Sequence, residues 1–184
     1  MSKENKTRYA LLGLLNHEDL TGYEIKKRID NSLKLFWDAG FGQIYPTLKL
    51  LEKDGHLRSY SKGEDNESDK IYYSITEAGK KELMDWLKRP VEKENVKYEI
   101  LLKLFFGGAQ SLGNNINNIA EFKGRNQGTL ELLQSFKSNL EQVLDEDKDH
   151  IYYYLTVLFG EKVYKAYLEW ADEAILILKD KKNI

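Results

Sequence analysis

No cysteine occurs among the 184 residues, which excludes disulfides, thiolate nucleophiles and cysteine-ligated metals together. Proline is almost as scarce. The two that occur, Pro46 and Pro90, are therefore positional signals, because proline suits only the start of a helix or the residues beyond its end. The N-terminus, MSKENKTRYALLGLLNHEDL, carries an apolar run far too short to span a bilayer and lacks the small-residue cleavage pattern of a secretory signal. A cytoplasmic protein without membrane contact is expected, and the sequon-like Asn66-Glu67-Ser68 then carries no meaning. The three histidines, His17, His56 and His150, fall in separate elements, and no HExxH, glycine-rich phosphate loop or G-x-S-x-G is present. Neither catalysis nor a metal or other cofactor is expected. A strong bias of charge is missing too: the formal net charge is -2 with 32% charged residues. Residues 1–90 hold sixteen Lys and Arg against fifteen Asp and Glu, and the remainder twelve against fifteen, so any affinity for nucleic acid rests on local charge.

What is present is enough apolar residue, 41% of the chain, for a packed core. Thr7 to Asn16 reads as a largely apolar first helix. Thr21-Gly22-Tyr23-Glu24 is a capping box that opens a second helix. Its residues Ile25, Ile29, Leu33 and Phe36 fall on one side and Lys26, Lys27, Asp30 and Asn31 on the other. In GFGQIYPTLKLLEKDGHLRSY, Ile44, Leu48 and Leu51 form one stripe, Gly55 suits the residue just past a helix end, and Pro46 places the helix start near Gly42. HLRSYSK and KIYYSIT then read as a β-hairpin with the acidic tip GEDNES. Thr76-Glu77 caps a fourth helix that ends before Pro90. Three helices, a two-stranded ribbon and a helix are the order of a winged helix-turn-helix, over residues 1–90.

Residues 91–184 differ in kind. ENVKYEILLKLFFGGAQS suggests a helix broken near Gly107-Gly108. Two long helices come next, with apolar positions Ile119, Phe122, Leu130, Leu133, Phe136, Leu140 and Leu144, then Ile151, Leu155, Leu158, Tyr167, Trp170, Ala174 and Ile177, joined by DEDKD. A spacing near 3.5 residues predicts a coiled-coil-like helical hairpin, and apolar residues spread beyond one seam predict pairing with a second copy. The fold class expected is mainly α with a small β-ribbon: a winged helix-turn-helix followed by a helical dimerisation domain.

A helix-turn-helix puts its second helix in the major groove, with residues near that helix's N-terminus on base edges and lysines on phosphates. Gln43 suits adenine, Tyr45 and Thr47 suit phosphate or a thymine methyl, and Lys49 suits phosphate. Tyr45 equally suits packing under the wing. Tyr23, Lys26 and Pro46 complete the expected DNA-binding surface, with Lys62 and Lys70 flanking the wing tip. Trp86, Tyr98, Phe105, Phe106 and Trp170 are either core or the wall of an apolar pocket, at the domain junction or across a dimer. Gly124 and Gly128 mark close packing, a bend or room for a ligand.

The motifs YALLGLL, TGYEIKKRI, GQIYPTLKLLEKDGHL, YYSITEAGKKEL and LLKLFFGG, in that order, resemble the PadR-like transcriptional regulators, in the subgroup with a long helical C-terminal domain. The likeness is close over Arg8 to Gly108 and is one of shape over the hairpin. It implies a homodimeric winged-helix protein that binds double-stranded DNA, often as a repressor, with the C-terminal helices forming the dimer. It further implies, from some relatives, release from DNA by a small aromatic effector. The sequence departs from the pattern at the wing, where Lys70-Ile71 precedes the paired tyrosines and Ser74 comes after them in place of more basic residues. The competing expectation is a winged-helix protein-interaction module whose third helix does not touch DNA.

Overall fold

The computed structural model describes residues 5–61, 70–92 and 96–181, which form two compact units divided between Lys93 and Glu94. The first contains α1 (Thr7–Leu15), β1 (Leu20–Thr21), α2 (Gly22–Arg28), α3 (Phe41–Lys53), β2 (Leu57–Ser61), β3 (Ile71–Ile75) and α4 (Glu77–Leu87). Its core takes Leu11, Leu12 and Leu15 from α1, Ile25 and Ile29 from the α2 region, Ile44, Leu48 and Leu51 from α3, and Leu57, Tyr73 and Leu83 from the sheet and α4. These are the 3.6-residue stripes of the helices and the inward positions of the strands, removed from water together.

The ribbon is three-stranded, not two-stranded. β1 pairs with β3 through Leu20↔Tyr73 and Thr21↔Tyr72, and β3 pairs antiparallel with β2 from Leu57↔Ile75 to Ser61↔Ile71. Two residues leave too short a pattern to be read as a strand. The expected hairpin tip and Lys62 lie outside the described residues.

Caps set the helix limits as the sequence predicts. Thr21 Oγ1 accepts from the Glu24 N–H at 3.2 Å, while Glu24 Oε2 accepts from the Thr21 N–H at 2.8 Å. The backbone donor at Thr21, and after it the Thr21 hydroxyl, hold the Glu24 carboxyl below the usual carboxylate range. At the end of α3, Gly55 has φ +75°. Its N–H bonds to the Glu52 carbonyl and that of His56 to the Leu51 carbonyl, the paired arrangement that satisfies the last carbonyls of a helix. α4 is capped by Thr76, whose hydroxyl accepts from the Gly79 N–H at 3.1 Å.

One expected stripe fails after Ile29. Residues Ile29–Leu33 form a π-helical turn in which the Lys34 N–H reaches the Ile29 carbonyl. The wider turn rotates the residues after it about the helix axis, so Leu33 is half-buried and Phe36 is exposed.

The second unit contains α5 (Glu99–Phe105), a 3-10 turn at Gly107–Ala109, α6 (Leu112–Gln142) and α7 (His150–Lys181). α6 and α7 run antiparallel, as the pairs Lys123–Asp172, Lys137–Glu161 and Tyr154–Glu141 require. The seam of α7 is the expected one only in part: Leu158, Tyr167, Trp170 and Ala174 are half-buried, Trp170 and Ala174 against Ile119 and Ala171. Positions 154, 157, 161, 164, 168, 171, 175 and 178 are turned inward, whereas Ile151, Leu155 and Ile177 are exposed. A glutamate holds the middle of that seam. Glu161 is buried, with Lys165 Nζ at 2.6 Å and Lys137 Nζ at 3.1 Å, the latter off hydrogen-bond geometry. These lysines, Lys165 first, hold its carboxyl below the usual range against the opposing effect of burial. Close packing falls at Gly160, where an added Cβ would lie 3.2 Å from both Leu133 methyls, and not at Gly124 or Gly128, whose Cβ positions meet nothing within 4 Å.

Candidate nucleic-acid interface

α3 begins one residue before the expected start. Gly40, extended at φ -82° and ψ 168°, is its N-cap, and its carbonyl accepts from the N–H groups of Gln43 and Ile44. Pro46 is thus the sixth helical residue and lies past the first turn. Having no N–H, it leaves the Gly42 carbonyl without its donor four residues on. Gly42 and Pro46 are both exposed. With Ile44 taken as the centre of the buried face, about 100° per residue puts Gly42, Pro46, Lys49 and Lys53 along the outermost ridge. Its leading half has little side-chain bulk, and its trailing half is cationic.

Gln43 and Tyr45 lie on opposite flanks of that ridge, both exposed. Tyr45 is 42% exposed. Its ring covers the backbone of Gly22 in the first turn of α2, so closely that a Cβ on Gly22 would fall 2.5 Å from Cε1. Phe41 stacks against it with centroids 5.9 Å apart and planes at 22°. Phe41 is not among the residues that the sequence singles out, although its place two residues before Gln43 in an apolar-aromatic turn is a signal of its own.

Thr47 does not belong to the exposed surface. It is 3% exposed, on the core side of α3, and its Oγ1 accepts from Asn5 Nδ2 at 3.0 Å. Hydroxyl chemistry suggests phosphate; the helix phase puts Thr47 three residues from Ile44 and beside Leu48, on the buried side. Tyr23 is exposed on α2. Lys26 is engaged by Asp30 and, at 3.7 Å, by Asp38, and the Asp30 hydrogen bond, the largest cause, raises its pKa. Lys49 and Lys70 are exposed, and Lys70 lies near enough to Glu24 to help lower that carboxyl's pKa. At the wing's base Tyr60 stacks on Tyr72 and donates to Asp19 Oδ2 at 2.7 Å.

The five aromatic residues suggested for a pocket fall into three settings. Trp86 packs against the core of the first unit, stacked on Tyr9 with centroids 4.4 Å apart. In the second unit, Trp170 packs edge-on against Phe122, which also touches Tyr167, and Tyr98 shares a 2.9 Å hydroxyl contact with Tyr167. Burial, then the Tyr98 hydrogen bond, push the Tyr167 phenol strongly upward, so it stays neutral. Phe105 and Phe106 are exposed. Phe106 borders an open cleft of about 710 Å³ with Leu102, Lys103, Gln110, Asn114 and Asn118. Phe122, Tyr164 and Tyr167 complete the aromatic cluster, yet in the sequence they carry only the signal of apolar hairpin residues. Their convergence depends on the hairpin and α5 together. Among the described residues, no group of three or more His, Cys, Asp or Glu side chains could hold a metal ion, and no helix is long and apolar enough to cross a membrane.

Residues 11–85 match the model of the transcriptional regulator PadR-like family, and residues 96–179 that of the virulence activator alpha C-terminal domain. The negative transcriptional regulator PadR of Bacillus subtilis is 32% identical over 179 residues, which cover 95% of this chain and 97% of that protein. The chain belongs to the PadR-like family of transcriptional regulators. Family membership does not favour the interaction-module reading and places the chain among regulators, not enzymes. Two crystal structures of B. subtilis PadR share the fold. The complex with operator DNA has a TM-score of 0.82 at 29% identity, over 94% of this chain and 98% of that one. The complex with p-coumaric acid has a TM-score of 0.75 at 29% identity, over the same shares.

Proposed function

We propose that this PadR-like regulator is a cytoplasmic homodimer that binds an operator in double-stranded DNA through α3 and acts as a repressor released by a small aromatic acid. The observation that carries the reading is the exposed ridge of α3. A glycine and a proline at its leading end allow the helix backbone to approach a groove floor, and Lys49 and Lys53 further along suit phosphates. The likeness to a PadR structure that holds operator DNA supports the same reading. In this arrangement residues 1–90 are the DNA-binding domain and residues 91–184 the dimerisation domain. The hairpin supports the second role because Tyr152, Leu155 and Phe159 of α7 and Leu132 of α6 are exposed, more apolar surface than a lone hairpin leaves to water. The p-coumaric acid complex of the relative supports an aromatic effector, and Tyr98, Tyr167 and Trp170 supply aromatic surface of matching chemistry.

The test is fluorescence anisotropy of the full chain with DNA from upstream of its own gene, alongside light scattering of the free protein. Expected are a dimer mass, saturable binding that survives excess random DNA, and loss of binding on addition of p-coumaric acid. A monomer, or binding equal on random DNA, overturns the proposal. Binding that is specific but indifferent to aromatic acids removes the effector alone.

A further inference from the structure

Phe41 occupies the first residue of α3, in the turn that leads the helix, and it is 44% exposed. A large apolar ring in that position needs an account, since the outer ridge of the helix beside it carries only Gly42, Pro46, Lys49 and Lys53. Nor is the ring loose. It stacks on Tyr45 one turn along, and Tyr45 rests on Gly22, where even one methyl group would collide with the ring at 2.5 and 2.8 Å. Gly22 is in turn fixed between Thr21 and Glu24, the two partners of the capping box. A continuous line of contacts therefore runs from the cap of α2 through Gly22 and Tyr45 to Phe41, and it holds the exposed ring in one place.

The floor of the major groove presents hydrogen-bond donors and acceptors and one apolar group, the 5-methyl of thymine. A phenyl ring laid on the polar edges would strip their water and return no hydrogen bond. Laid on the methyl, it gains from burial of both. Resting on the DNA-binding reading above, we infer that Phe41 reads a thymine methyl in each operator half-site, with Tyr45 and Gly22 as its positioning residues. Gln43 is two residues on, about 200° around the helix, so it reads a different base pair. The seat on Gly22 explains why a glycine stands inside the α2 cap, where its missing side chain makes room for the partner helix and not for a turn.

The experiment starts from a duplex selected by the wild-type protein from random DNA, in which each thymine is replaced in turn by deoxyuridine, removing only the methyl. Wild type should lose roughly fourfold in affinity at one thymine per half-site, the effect of one buried methyl. Phe41→Ala should bind more weakly and no longer distinguish thymine from uracil there. Phe41→Leu, which keeps an apolar contact, should retain the distinction. Gly22→Ala should displace Tyr45 and abolish discrimination at that same position; Tyr45→Ala replaces it if Gly22→Ala fails to fold by circular dichroism. Equal wild-type affinity for every uracil duplex, or discrimination that persists in Phe41→Ala, overturns the assignment while leaving operator binding intact. Failure to select any duplex overturns the DNA reading itself, and the role of Phe41 with it.

Discussion

Replacing Gly79 by alanine should destabilise the first unit, although Gly79 lies in a helix and helix propensity alone favours the change by up to about 1 kcal/mol. The reason is its contact with the strand side. A Cβ there would stand 2.2 Å from the His56 carbonyl oxygen and 2.8 Å from Ile75 Cγ1. The first is a backbone atom and cannot swing away, so α4 must retreat by about 1 Å to reach an ordinary contact. That retreat pulls on two hydrogen bonds that tie the start of α4 to the end of α3: Thr76 N–H to the His56 carbonyl at 3.0 Å, and Thr76 Oγ1 to the Gly55 carbonyl at 2.8 Å. Each contributes about 1 kcal/mol, and loosening Leu83 in the core adds a similar or larger cost. The net effect should be a loss of about 2–4 kcal/mol. Gly13 supplies the control. It too is helical and in the same unit, but an added Cβ meets nothing within 4 Å, so Gly13→Ala should stabilise by up to about 1 kcal/mol. Urea unfolding followed by tryptophan fluorescence in a Trp170→Phe background leaves Trp37 and Trp86 as reporters of this unit. Opposite signs for the two substitutions are expected. A neutral or stabilising Gly79→Ala would refute the close approach of α4 to the end of α3.

Two further predictions concern charge. The folded pKa of Glu161 is depressed, so its contribution to stability is fully present above the ordinary carboxylate value of 4.5 and is lost as pH falls through the lower, folded value. Glu161→Gln should therefore cost about 1–2 kcal/mol at pH 7, in thermal or urea melts, and the difference from wild type should shrink as pH falls below the ordinary carboxylate value; a difference independent of pH would sink this account of the hairpin seam. Lys49→Ala should weaken binding to specific and random DNA alike and reduce the slope of log affinity against log salt by about one unit per lost phosphate contact; an unchanged slope in anisotropy titrations would place Lys49 away from the phosphates.

The winged helix-turn-helix and the hairpin are legible in the sequence because their signals are local. A capping box needs only Thr21 and Glu24, a helix end needs only Gly55, and the stripe of Ile44, Leu48 and Leu51 is visible within one segment. Exposure of Gln43 and Lys49 comes from the same phase. Thr47 shows where residue chemistry misleads: its hydroxyl suggests phosphate, but its angle on α3 commits it to the core. The seam of α7 is only partly legible in the sequence: Trp170 and Ala174 pack as their spacing suggests, but the helix is apolar on several sides, and its central inward position is Glu161, which hydrophobicity cannot select. Only the lysines of two helices, Lys137 on α6 and Lys165 on α7, make that position tolerable. The same holds for Tyr45 and Gly22, twenty-three positions apart, whose fit depends on how closely α2 and α3 approach. Periodicity fixes which side of a helix faces the core; it contains nothing about what stands opposite, and that is decided when the elements pack.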